Sequence, residues 1–172
     1  MKSKRWLLIS LLLLPLITTG CQTTDQELQH QDIAGTVLPS AEEARHYVVD
    51  SKLLTIVEQT EIVPIRFLEY GPKYLMVQGR DAEDRKRIIW LVGNASSGGI
   101  RVVSEALSDA FLPESHIREL LNEQGEIEQL FLAPNDRAGD TDKNKPIWFV
   151  LLKDKKVVYL DPVTGQKLPK GN

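Results

Sequence analysis

A single cysteine, Cys21, stands in this chain of 172 residues. No internal disulfide can form, and no CxxC redox pair or cysteine-rich zinc site exists. The thiol has an unusual place. Before it come Lys2, Lys4 and Arg5, an apolar run over residues 6–14, and then Pro15-Leu16-Ile17-Thr18-Thr19-Gly20. A basic start, a short apolar stretch and small residues at its end are the layout of a secretory signal peptide. The run is shorter than the roughly 20 residues a membrane span needs, and Pro15 interrupts it.

Thr18-Thr19-Gly20-Cys21 resembles a bacterial lipoprotein cleavage box, with Thr18 where that box usually has Leu or Val. The resemblance implies cleavage after Gly20 and lipid on Cys21, with residues 1–20 as the leader. The body would then work outside the cytoplasm, on the outer face of the cytoplasmic membrane, or at the outer membrane of a two-membrane host. Loss of the leader leaves 18 basic and 24 acidic side chains, a formal charge of −6. Such a surface is mildly repelled by nucleic acid and anionic lipid. No basic stripe with interleaved aromatics is present, which excludes nucleic acid as a partner.

The segment 21–39 is expected to be a flexible tether. Its first ten residues after Cys21 are polar, with almost nothing apolar to bury. Pro39-Ser40-Ala41-Glu42-Glu43 then signals a helix start. Ser40 and Glu43 have the spacing of a capping box, and Ala44, Tyr47, Val48 and Ser51 share one face of a helix over 41–52. Three strand candidates follow at 56–70, 74–79 and 87–92, rich in Ile, Val, Leu, Tyr and Trp. Pro64 marks a start or a bulge in the first of them. Residues 94–99, small and glycine-rich, are expected to be a linker.

Beyond it, 100–104 is a short strand candidate, and Pro113-Glu114-Ser115 opens a second helix that Gly125 stops. Residues 126–133, 146–153 and 157–161 complete a second set of three strands, the last two joined across Asp154-Lys155-Lys156. The run Ile147-Trp148-Phe149-Val150-Leu151-Leu152 has no polar alternation, as expected of a strand buried on both sides. The two halves share one grammar, helix and then three strands. Ala41 to Glu114 and Tyr74 to Ile147 are each 73 residues, and Trp90 to Tyr159 is 69. The fold class expected is α+β, in two small units over 40–94 and 100–169. Each would be one helix on an antiparallel sheet of three to four strands. Units of this size bury only ~60% of their unfolded surface, so the two are expected to dock.

Pro146-Ile147-Trp148-Phe149-Val150, with Val158-Tyr159-Leu160-Asp161-Pro162-Val163-Thr164-Gly165, resembles the end of a PepSY-type domain. The order of the mature chain resembles the TseB/YpmB family of cell-envelope proteins. The resemblance implies two tandem cystatin-like, PepSY-type units and a role in protein contacts rather than catalysis. Its implied partners are envelope proteins. One class is the penicillin-binding proteins of wall synthesis. The alternative is an extracytoplasmic peptidase that the chain regulates or inhibits.

Chemistry-bearing residues are sparse in pattern. His30, His46 and His116 show no HxxxH or HExxH spacing, which argues against zinc. Residues 140–144 imitate the start of a calcium loop, but Lys145 replaces its glycine and Leu151 its bidentate Glu. Ser96 and Ser97 have no nucleophile elbow around them. Glu58, Glu61 and Glu69 define no acid–base pair. The expectation is a non-enzyme with no cofactor and no metal. Its site residues are Cys21 for lipid and, for binding, Trp148 and Tyr159. Trp90, Trp148 and Tyr159 are weighed as core residues ahead of ligand contacts.

Overall fold

The computed structural model describes residues 36–64, 73–94, 98–135 and 144–169. The leader, Cys21, His30, most of the tether, Ser96, Ser97 and the calcium-like stretch 140–143 lie outside the described residues. The body, Ile33–Asn172, is one compact unit.

Helix α1 (Ala41–Asp50) starts where its cap dictates. The Ser40 hydroxyl accepts from the Glu43 N–H at 3.2 Å, and Glu43 Oε2 accepts from the Ser40 N–H at 2.8 Å. Two otherwise orphaned donors are thus satisfied. The helix ends at Asp50, two residues before the expected limit, with Ser51 as its C-cap, because Lys52 turns into the left-handed region. Strands β2 (Ile56–Pro64), β3 (Lys73–Arg80), β4 (Lys86–Asn94) and β5 (Ile100–Leu107) form an antiparallel meander. A two-residue strand, β1 (Thr36–Val37), pairs with the end of β4. Pro64 closes β2. The bulge in that strand lies at Val57/Gln59 instead. There β3 carries Gly79, whose missing side chain leaves room for the Ile56 carbonyl.

The segment expected to be a linker is a hairpin connection. Asn94 N–H donates to the Gly99 carbonyl at 2.8 Å and Gly98 N–H to the Asn94 carbonyl at 2.9 Å, with Gly98 at φ 65°. A glycine in the left-handed region reverses the chain at little steric cost. Strand β5 is therefore the last strand of the first sheet rather than the first of a second unit, and it runs to Leu107.

Helix α2 (Glu114–Leu120) and a 3-10 turn (Asn122–Gln124) precede the second sheet, β6 (Ile127–Pro134), β7 (Pro146–Leu152) and β8 (Val157–Leu160). That sheet is antiparallel in the order β6-β7-β8. Pro113 caps α2 from outside rather than opening it.

Alternation along the strands splits the core in two. On one face of the first sheet, Leu75, Val77, Ile89 and Leu91 pack with Ala44 and Val48 of α1 and with Leu54. On the other, Val63, Tyr74, Met76, Ile88, Trp90 and Val92 join one cluster with α2 and the second sheet. The molecule is α+β, with two antiparallel sheets and few helices. The second sheet shares its core with the far face of the first sheet, whereas α1 and the near face of the first sheet form a cluster of their own.

Candidate interaction surface

Strands β7 and β8 and the turn that follows them each have a mechanical role. Trp148 lies in β7 opposite Leu132 on one side and Leu160 on the other. Only 8% of it is exposed, so it belongs to the core and is no surface contact. Its indole Nε1 is buried without a hydrogen-bond partner. Tyr159 is half-buried. Its ring stands edge-on to Phe149 at 5.2 Å, and Phe149 stacks on Phe131 at 5.2 Å. Three strands thus share one aromatic row, because Phe131, Phe149 and Tyr159 are in direct register.

The turn that follows is stapled by Asp161. Its Oδ1 accepts from the Val163 N–H at 2.9 Å, the Thr164 N–H at 2.8 Å and the Thr164 hydroxyl at 3.0 Å. Partial burial pushes this carboxyl up, but the bonds from Thr164 and Val163 outweigh it and hold it below the usual range. Gly165 adopts φ 68° and sits under Leu120 and Leu112, while Leu112 N–H donates to the Pro162 carbonyl at 2.8 Å. The Asp-x-x-Thr-Gly spacing therefore clips the chain end to the α2 segment.

A second staple closes the β3–β4 hairpin. Asp81, 5% exposed, accepts from the Glu83 and Arg85 N–H groups at 3.0 Å each, from Arg85 Nε at 2.9 Å and from Arg87 Nη2 at 3.2 Å. Arg87 also meets Glu105 of β5 at 3.3 Å. The Arg85 hydrogen bond is the largest influence and outweighs desolvation, lowering the Asp81 carboxyl to about 2. A carboxylate so fully bonded is a poor proton acceptor near neutrality. The loop 80–86 is rich in charge. Its Asp81, with donors at Glu83 and Arg85, is a turn signature legible in hindsight. His46 and His116 are both exposed, on different helices. Among the described residues, no group of three or more His, Cys, Asp or Glu could hold a metal ion. Among them, too, no helix is long and apolar enough to cross a membrane.

What remains as surface is set by the strand edges. The described residues contain five: the two-residue β1, β2 and β5 in the first sheet, β6 and β8 in the second. An open edge invites pairing unless it is short, bulged or covered. Strand β8 is four residues long, and the returning chain lies along it, with Leu168 N–H donating to the Tyr159 carbonyl at 2.8 Å and a bridge from Leu160 to Lys167. Strand β5 is bulged at its centre, opposite Trp90/Leu91, and the Ser104 hydroxyl is bonded to the Asn144 carbonyl. Strand β6 is half-buried or buried from Leu130 onward, and Trp90 Nε1 donates to its Leu132 carbonyl at 3.3 Å. Strand β2 differs. Beyond its bulge, Gln59, Glu61 and Ile62 are exposed in unbroken register with β3 up to Pro64. Ile62 is 53% exposed.

These features define an α+β body of two packed antiparallel sheets, with one long accessible strand edge. Among solved structures, it is similar to the YpmB protein from Bacillus subtilis. That comparison covers 76% of this chain and 94% of that one, at 21% identity and a TM-score of 0.49. A likeness of that size carries no function across. No family model matches the chain, and neither does any curated protein sequence.

Proposed function

We propose that this chain is a lipid-anchored interaction module of the bacterial cell envelope, built from two cystatin-like, PepSY-type units and acting through protein contacts. One observation carries the reading. A basic start and a short apolar run lead to Thr19-Gly20 just before Cys21, a polar stretch follows, and the compact body begins at Ile33. A short polar tether between a lipid and a folded body presents that body to neighbours on the same membrane. Confinement raises the effective concentration of any such neighbour, so weak contacts suffice. In this reading the Asp81 and Asp161 staples serve rigidity rather than turnover.

The test has two arms. Cells are fed an acyl analogue, and Cys21→Ala is compared with the wild type. Label and membrane attachment are both expected to be lost. Retention of both would overturn the anchor. Envelope crosslinking with the wild-type chain is then expected to recover a wall synthase. Recovery of a peptidase alone would instead support the regulatory alternative. Turnover of peptidoglycan by the purified chain, abolished by one acidic substitution, would overturn the non-enzymatic reading.

A further inference from the structure

We propose that the β2 edge from Gln59 to Pro64 is the docking site of this module, and that it receives an extended partner segment alternating apolar and basic side chains. The inference rests on the interaction-module reading and adds to it the surface and the chemistry of the partner. Strand addition needs a run of regular, exposed backbone. Among the described residues, the four other edges are shortened, bulged at the centre or covered, whereas β2 is regular for the six residues after its bulge and exposed at Gln59, Glu61 and Ile62, with Val63 turned into the cluster shared with the second sheet. The bulge at Val57/Gln59 bounds the site at one end, and Pro64, which has no N–H to offer, bounds it at the other.

Side chains select the occupant. Ile62 pairs with Leu75, whose side chain packs under α1, so Ile62 lies on the helix face of the sheet and is left largely uncovered there. Glu61 pairs with Met76 and so lies on the opposite face. Its carboxylate accepts from the Gln59 amide at 3.4 Å, a weak contact. An incoming strand therefore meets an apolar side chain on one face and a carboxylate on the other. A residue with a cationic head opposite Glu61 and an apolar residue opposite Ile62 satisfies both. A second copy of this chain fits poorly in the register centred on Glu61. Twofold pairing over the regular stretch 59–63 centres on Glu61 and sets that carboxylate against itself, and like charges directly opposite are destabilising.

The test uses the full-length chain and a seven-residue peptide of alternating valine and lysine, with a valine–glutamate peptide as control. Amide hydrogen exchange is followed along β2. The lysine peptide is expected to slow exchange at residues 59–63, and the glutamate peptide to bind more weakly. In Glu61→Lys, an exposed substitution, the preference is expected to invert, each peptide changing its Kd by about fivefold in opposite directions. Protection elsewhere, or an unchanged preference in Glu61→Lys with an unchanged melt, overturns the proposal. A photo-crosslinker at position 62 separates this idea from the wider one. If it captures nothing while crosslinkers at other surface positions capture the envelope partner, the β2 edge is wrong and the module reading stands.

Discussion

Trp90 and Trp148 offer one chemical change at two buried places that differ in a single bond. Trp90 is fully buried and donates its indole N–H to the Leu132 carbonyl at 3.3 Å. Trp148 is 8% exposed and its indole N–H has no partner. Trp→Phe at either place removes similar apolar volume, so the cavity cost is similar to first order. At Trp90 the substitution also takes away the donor and leaves a buried carbonyl with one bond fewer, at about 1–3 kcal/mol. At Trp148 it removes a donor that was desolvated without return, which offsets part of the volume loss. Trp90→Phe is therefore expected to be less stable than Trp148→Phe by about 1–3 kcal/mol. Trp148→Ala should cost about 3–5 kcal/mol and bring the body near its unfolding threshold. Urea unfolding of the full chain measures all three, with the midpoint carrying the difference if the slopes agree. Equal midpoints for the two Phe variants would refute the reasoning about the unpaired N–H. A Trp148→Ala variant with an unchanged midpoint would refute the core placement itself.

Two further outcomes follow from the staples. Gly165→Ala should lower stability by about 1–3 kcal/mol, since its φ of 68° strains an L-residue and the new Cβ would lie 2.6 Å from Leu120 Cδ1; a thermal melt equal to wild type would contradict the clip. Asp81 has a carboxyl depressed to about 2 in the fold, against ~3.9 unfolded, so its contribution is full above pH ~4 and lost as pH falls through about 2. Asp81→Asn should flatten that part of an acid-unfolding curve, and a curve parallel to wild type would show that the Arg85 and Arg87 contacts do not hold in solution.

Local chemistry made a good part of this molecule legible in its residues alone. The Ser40/Glu43 box marked the start of α1 because capping is decided within one turn of chain. The apolar run in β7 marked a strand buried on both faces because such a strand has no solvent side to advertise. The single Cys21 excluded disulfides by count. Partnership between distant segments was not legible. Residues 94–99 have a composition that suits a linker or a hairpin equally, and pairing of β5 with β4 made them a hairpin. Trp90 and Trp148 are alike in local sequence, and only the approach of β6 decided which indole found a carbonyl. The open β2 edge was equally hidden. Whether an edge is free depends on what lies beside it, and the bulge, the C-terminal return and the Trp90 bond that close β5, β8 and β6 join residues far apart in the chain. Short-range interactions thus wrote the elements, and long-range packing chose which surfaces those elements left to a partner.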